Sequence, residues 1–305
     1  MGFFAGQARR VRAYGSALAG SLVLLLAVLA MATIVVSDSH AHARVSAHFP
    51  AKTSTGSARA RVKPATEYRV VGCRSQGTVA YRGGPARHEV AIGFDDGPAP
   101  DTPAFVTMLE KSKAQATFFM IGEQVTSTYR STLLRELRNG DVLGDHTFTH
   151  PDLTRSSEVS AQLLKTIGAI RAVSGYTPCV FRPPYGDYDQ SVLETARSLG
   201  LATVLWNVDP SDYTQSGVGT IVQRVLAEVQ PGSIIISHDG GGPRGQTLAA
   251  YPQIIAALRT RGYRIVTIPE LLGFHSVYVP CIRLCDSIGV TRGEIPRGAI
   301  IERAP

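Results

Sequence analysis

The stretch HEVAIGFDDGP, residues 88–98, decides how this chain folds. Val90 to Phe94 is an unbroken run of apolar or small residues, followed by two acids and a turn-forming Gly-Pro. Such a run belongs to a strand buried on both faces, as in a parallel sheet, rather than to an edge strand with one wet face. Asp95 and Asp96 then stand at the carboxyl end of a buried strand. Neighbours on an extended chain point opposite ways, so the two acids can divide ion binding from proton transfer. Paired acids before Gly-Pro are also ordinary turn chemistry.

Working outward, the same kind of run recurs as ATFFMIG (116–122), DVLGD (141–145), CVFRP (179–183), ATVLWNV (202–208), SIIISH (233–238) and YRIVTI (263–268). With the first stretch, these are the predicted strands. Helical patterns lie between them: Pro103 to Lys111 with Thr102 as cap, a segment around Leu133, Leu134 and Leu137, another carrying Val159, Leu163, Ile167 and Ile170 on one face, and a last one with Ile254, Ile255 and Leu258. Strand–helix alternation predicts parallel βα units. The expected fold is α/β, a deformed (β/α) barrel of about seven parallel strands, in preference to an open doubly wound sheet. No glycine fingerprint follows the first strand, which disfavours a dinucleotide fold. The glycine-rich stretch from Gly240 to Gly245 lacks the Gly-Lys-Ser/Thr ending of a phosphate loop and reads as a flexible rim loop.

Polar residues concentrate where these strands end. Asp95 and Asp96 follow the first, His146 and His150 the third, Arg182 the fourth, Asp209 and Asp212 the fifth, and His238 the sixth. In a βα barrel the carboxyl ends share one face, so these residues are expected to converge there. His146 and His150 are four apart, a spacing that puts two imidazoles on one side of a helical turn. Two histidines and a carboxylate form an open divalent-ion site, and such an ion lowers the pKa of water from ~15.7 to ~7. The spacing alone also fits two unrelated surface histidines; FDDGP in the same chain argues against that. Arg182 carries a permanent charge suited to holding Asp95 ionised, or to a plain rim salt bridge. His238 can protonate a leaving amine near neutral pH, and Asp209 can hold either Arg182 or His238.

The flanks read differently. The formal charge is +7, but much of the basic excess lies near the amino terminus, at Arg9, Arg10, Arg12, Arg44, Lys52, Arg59, Arg61 and Lys63. That placement suits a membrane or an anionic wall better than nucleic acid. Ala17 to Val36 is uncharged and, at about 1.5 Å per residue, long enough to span a ~30 Å hydrocarbon layer. Arginines before it predict export of everything after it, whether as an uncleaved anchor or as a cleaved signal at Ala30-Met31-Ala32 or Ala41-His42-Ala43. The expected division is a basic cytoplasmic end (1–16), a transmembrane or signal-anchor helix (17–36), a linker (37–70), a catalytic domain (71–275) and a C-terminal tail (276–305). Cys73, Cys179, Cys281 and Cys285 fit an oxidising compartment, with disulfides, free thiols and a partial zinc site all open and the pairing unreadable from spacing.

Taken in order, FDDGP (94–98), HTFTH (146–150), RPPYG (182–186), VDPSDY (208–213) and IISH (235–238) resemble the five motifs of the NodB-homology polysaccharide deacetylases, carbohydrate esterase family four. The resemblance runs from about Val90 to Leu272. It implies Asp95 as general base, Asp96, His146 and His150 as metal ligands, Arg182 as the orienter of Asp95, the Tyr185 amide as oxyanion donor, Asp209 as the tuner of His238, and His238 as general acid. Ile235 resembles the residue that packs on the acetyl methyl, and Tyr185, Tyr213 and Trp206 complete the expected substrate surface. Gly93, Tyr213 and Ile235 depart from the usual Thr, Trp and Leu, which bears on substrate preference.

The expected activity is metal-dependent removal of N-acetyl groups from N-acetylhexosamine polymers, peptidoglycan or chitin-like. The alternatives are an O-acetyl esterase on a xylan-like polysaccharide and an inactive wall-binding protein. The expected ion is Zn2+, with Co2+, Ni2+ or Mn2+ as other occupants. Expected partners are the glycan and, through the N-terminal segment, a membrane, without nucleic acid; the catalytic domain is read as monomeric and extracytoplasmic, anchored, or secreted if cleaved.

Overall fold

A computed structural model of the chain describes residues 68–84, 87–280 and 300–301. The expected N-terminal anchor or signal, the linker and the pair Cys281 and Cys285 lie outside the described residues. Among the described residues, no helix is long and apolar enough to cross a membrane.

The strands are β1 (Tyr68–Arg74), β2 (Val79–Ala80), β3 (Glu89–Gly97), β4 (Thr117–Met120), β5 (Val142–Asp145), β6 (Val180–Phe181), β7 (Ala202–Val204), β8 (Ile234–His238), β9 (Arg264–Val266), β10 (His275–Pro280) and β11 (Ile300–Ile301). The helices are α1 (Thr102–Ser112), α2 (Arg130–Asn139), α3 (Val159–Ser174), α4 (Gln190–Ser198), α5 (Val218–Glu228), α6 (Gly245–Thr260) and α7 (Ile268–Leu271). Every predicted strand is present, as β3 to β9. They join β2 in one sheet of order β2-β7-β6-β5-β4-β3-β8, with β9 also on β3, and all of these pairings are parallel. Isolated bridges from Val208 to Ile235 and from Arg82 to Ser233 tie the two ends of that order together. The sheet therefore curls into a deformed barrel, and among the described residues its two ends meet through single bridges.

Burial explains why these runs became strands. Val90, Ala91, Ile92, Phe94, Phe118, Phe119, Val180, Ile234 and Ile235 have no exposed surface, as expected for strands covered on both faces. The helices stop where the sequence supplies a left-handed residue: Gly140 after α2 and Gly175 after α3. Thr102 begins α1 rather than capping it, and its hydroxyl donates to Asp239 instead.

A second sheet joins the two flanks of the barrel. β1 runs antiparallel to β10, and β11 pairs parallel with β10. Cys73 on β1 is disulfide-bonded to Cys179, 106 residues away, immediately before β6. A link closing a loop of that length stabilises a fold by about 4–5 kcal/mol in the chain-entropy account. It also fastens the flanking sheet to the strand that leads into Arg182.

Several carboxyls are buried within this frame. Burial pushes Asp141 and Asp239 up to about 7, and Glu136 and Asp145 well above the usual carboxylate range. Each keeps its proton in the folded state after the unfolded chain, titrating near 4, has lost it, so stability falls as pH rises between those values. His238 acts in the same direction, because its raised pKa adds stability that is lost as pH climbs through it. Asp96, lowered to about 2, matters only as pH falls below about 4. The urea midpoint of EDTA-treated protein is therefore expected to be higher at pH 5 than at pH 8; a flat or rising profile would contradict the burial of these acids.

Candidate active site

Register brings the expected residues together. Asp95 pairs with His238 across β3 and β8 and with Phe119 across β3 and β4, while Asp145, just before His146, pairs with Phe181, just before Arg182. The carboxyl ends of the strands open into a cavity of about 450 Å³ whose lining includes Asp95, Asp96, His146, His150, Asp209 and His238.

Asp95 and Asp96 do not alternate as an extended pair would. The β3–β4 register shifts between Asp95 and Gly97, and Asp96 has φ 71°, so it is a bulge residue whose carboxylate is re-aimed into the cavity beside that of Asp95. His146 and His150 likewise do not lie on a helical turn. They sit in a loop after β5 in which Thr147 and His150 have positive φ. Side chains hold that loop: Asp145 Oδ1 accepts from the Thr147 amide, Thr147 Oγ1 from the His150 amide, and Gln162 Oε1 from the amides of Phe148 and Thr149. Left-handed backbone at non-glycine residues costs energy and gathers at functional sites; Asp96, His150 and Tyr185 all show it here.

The three expected ligands meet. His146 Nε2 is 3.5 Å and His150 Nε2 3.3 Å from Asp96 Oδ1, and the ligand atoms all lie within 4.8 Å of one another. Donors roughly 2.0–2.2 Å from a tetrahedral ion stand about 3.3–3.6 Å apart, so the spacing fits a divalent ion. Among the described residues Asp96 Oδ1 also has no hydrogen-bond partner although it is buried, as suits an atom that serves as an ion ligand. His146 Nδ1 donates to the Arg182 carbonyl at 2.6 Å, which leaves Nε2 as the lone-pair donor. Burial holds His150 below its ordinary pKa, as does the charge of His146, favouring the neutral ring that a metal needs. Burial alone would raise Asp96; electrostatic attraction to His146, with His238 and His150, outweighs it and brings it down to about 2.

Beside this trio, Arg182 is wholly buried and donates from Nη1 to Asp95 Oδ1 at 2.7 Å. Its other nitrogens donate to the carbonyls of Val204 and Leu205, and its guanidinium lies 4.1 Å from the Phe119 ring. Gly93 makes that placement possible, because a Cβ there would come within 2.7 Å of Arg182 Nη1.

The geometry has counterparts. A family model described as polysaccharide deacetylase matches residues 82–204. The chain is 39% identical over 197 residues to a chitooligosaccharide deacetylase of Bradyrhizobium sp. (strain ANU 289), covering 60% of this chain and 90% of that protein. The chain belongs to the polysaccharide deacetylase family. It is also 38% identical over 191 residues to a peptidoglycan-N-acetylglucosamine deacetylase of Bacillus cereus, covering 61% of this chain and 88% of the relative. The solved structure of the Bc1960 peptidoglycan N-acetylglucosamine deacetylase superposes with a TM-score of 0.62 at 34% identity, over 64% of this chain and 92% of that one. This chain is thus a carbohydrate esterase family four hydrolase.

Two positions in this deacetylase differ from the sequence-based expectation. His238 is not partnered by Asp209. Its Nδ1 lies 2.8 Å from Asp212 Oδ1 and its backbone amide donates to Asp212 Oδ2, an oxygen that also accepts from Thr247 Oγ1. Asp209 turns instead to the Ser211 amide, and Ser211 in left-handed backbone swings Asp212 under the histidine. Burial lowers His238, but the hydrogen bond and charge of Asp212, with Asp95 and Asp96, outweigh it and raise the pKa. Similarly, Ile236 and not Ile235 lines the cavity; Ile235 is fully buried in the core. Side chains alternate along a strand, so the residue sharing a face with His238 is two before it. Tyr185 and Tyr213 are exposed at the rim with Trp206 beside them, and the Tyr213 ring meets His238 edge-on at 5.7 Å.

The glycine-rich loop is a wall of the site rather than a loose rim. The amides of Asp239 and Gly240 donate to the Asp95 carbonyl, and a side chain on Gly240 would strike the Asp96 backbone. It delivers Arg244, which sequence reasoning missed, into the cavity.

Proposed function

We propose that the protein hydrolyses N-acetyl groups of β-linked N-acetylhexosamine polymers, peptidoglycan foremost, in a divalent-ion-dependent reaction outside the cytoplasm. The observation that carries this reading is the meeting of three ligand atoms, Asp96 Oδ1, His146 Nε2 and His150 Nε2, with Asp95 and His238 around one cavity. A divalent ion held there, Zn2+ first by its preference for such nitrogen and oxygen donors, supplies Lewis acidity toward water and the substrate carbonyl.

The protein's own groups supply the rest. Asp95, oriented by the Arg182 hydrogen bond to its Oδ1, takes the proton from the attacking water at its Oδ2. The Tyr185 amide, on a backbone turned by φ 62°, donates to the oxygen that becomes negative, a contact typically worth ~3–4 kcal/mol. His238, protonated and held through Nδ1 by Asp212, gives its Nε2 proton to the departing nitrogen, so the C–N bond breaks to acetate and a free amine. Ile236 walls the acetyl methyl, and Tyr185, Tyr213 and Trp206 offer faces to sugar rings.

The catalytic unit in this reading spans residues 71–275, with the flanking sheet packed at its ends. Export fits the Cys73–Cys179 disulfide, which persists in an oxidising compartment. Peptidoglycan is favoured over chitin by the basic segment before the domain, which suits an anionic wall. The test is acetate release by zinc-loaded protein from N-acetylglucosamine oligomers, purified peptidoglycan and acetylated xylan. Release from the first two with formation of free amino groups is expected. Release from xylan alone would make the enzyme an esterase, and binding without acetate from any of the three would make it a wall-binding protein.

A further inference from the structure

Among the cavity's charged groups, one has no counterpart. Asp95 is paired with Arg182, His238 with Asp212, and Asp96 faces two histidines, while Asp209 accepts the Ser211 amide. Arg244 is the permanent cation in the lining, and its residue is 96% buried, with 4% of its surface exposed. Its Nε donates to the Gly240 carbonyl and its backbone amide to Asp101 Oδ2, so both ends of the residue are anchored. Among the described residues its guanidinium makes no ion pair. A Cβ on Gly241 would lie 3.2 Å from Arg244 Nη2 and also touch Asp96 Oδ2, which puts the free end of the guanidinium beside the ion-binding carboxylate.

A buried cation with no ion pair of its own, beside a carboxylate already facing two histidines, favours a ligand that brings an anion. Once a divalent ion engages Asp96, the surroundings of Arg244 become more positive, and the demand for an anion grows. We infer that Arg244 is a specificity residue that recognises a carboxylate on the substrate, within one sugar of the acetamido group being hydrolysed. This rests on the deacetylase reading above and narrows its substrate to acidic amino-sugar glycans. The guanidinium fork matches a carboxylate in two parallel hydrogen bonds, and its burial weakens competition from water.

Four oligomers of equal length separate the sources of that carboxylate: neutral N-acetylglucosamine; N-acetylglucosamine alternating with N-acetylmuramic acid; the same with its lactyl carboxyl amidated; and N-acetylglucosamine alternating with glucuronic acid. The wild type is expected to favour one of the acidic oligomers over its uncharged counterpart by about tenfold in kcat/KM, mostly through KM, and rising ionic strength should erode that preference. Arg244→Gln should collapse the preference, and Arg244→Lys should restore part of it because the charge returns. Should Arg244→Gln fail to fold, the Lys variant and the salt dependence of the wild type decide the matter.

Equal losses on acidic and neutral oligomers, or an unchanged preference, would overturn the inference. So would an Arg244→Gln enzyme whose inhibition by free acetate weakens as much as its binding of the acidic glycan, because the cation would then serve the product. If no oligomer is hydrolysed, the deacetylase reading has failed by itself; calorimetric binding of the acid and amidated oligomers to wild type and variant still decides the role of Arg244.

Discussion

Replacing Asp95 by Asn is expected to lower kcat for N-acetyl hydrolysis on the order of a thousandfold, a magnitude typical of a lost general base. Zinc affinity should stay within a fewfold of the original. The expectation follows from the different surroundings of two adjacent acids. Asp95 is 2% exposed and spends Oδ1 on Arg182, whereas Asp96 turns Oδ1 toward His146 and His150 and has no hydrogen bond there. Asp96→Ala should therefore cost on the order of a hundredfold or more in zinc affinity, since even groups that merely support metal ligands are worth 10–100-fold. Calorimetric zinc titrations alongside turnover of an N-acetylglucosamine oligomer check both, and equal loss of metal in the two variants would show that the acids share one task.

The second large effect is expected at Asp212. Asp212→Asn removes the charge that raises the His238 pKa and replaces an acceptor at Nδ1 with an amide that can present either face. With the raising influence gone and burial still acting, the pKa falls, so His238 loses its proton at lower pH. The basic limb of the kcat/KM profile should move acidward, and kcat at neutral pH should drop by about a hundredfold or more, as for a displaced general acid. Asp209→Asn, which disturbs only a turn around Ser211, should shift neither limb. A matched shift in the two variants would return Asp209 to the role that the sequence suggested for it.

That exchange shows where sequence reading reaches its limit. The buried runs announced β3 to β9 because a strand covered on both faces leaves an uninterrupted apolar signature. The same logic put Asp95, His146, Arg182 and His238 at one end of the sheet, and register then sets Asp95 beside His238. VDPSDY offers two acids three residues apart, and only the left-handed turn at Ser211 determines which meets the histidine. The Ile236 assignment was within reach, since counting two back from His238 along a strand gives it directly. The loop carrying His146 and His150 misled because the spacing matches a helix, while left-handed backbone at Thr147 and His150 achieves the same convergence without one. β1 and β10 form an outlying sheet of half-buried residues without a strong alternation, and the Cys73–Cys179 pairing depends on that sheet. Arg244 was hidden by its neighbours, because a glycine-rich stretch reads as mobile until its packing on Asp96 is seen.

The central claim is that the end of β3 and the loop after β5 hold one divalent ion between them. Anomalous diffraction at the zinc edge from zinc-soaked crystals tests it most directly. One strong peak about 2.0–2.2 Å from Asp96 Oδ1, His146 Nε2 and His150 Nε2 is predicted. A peak bound elsewhere, or none at saturating zinc, would contradict the account.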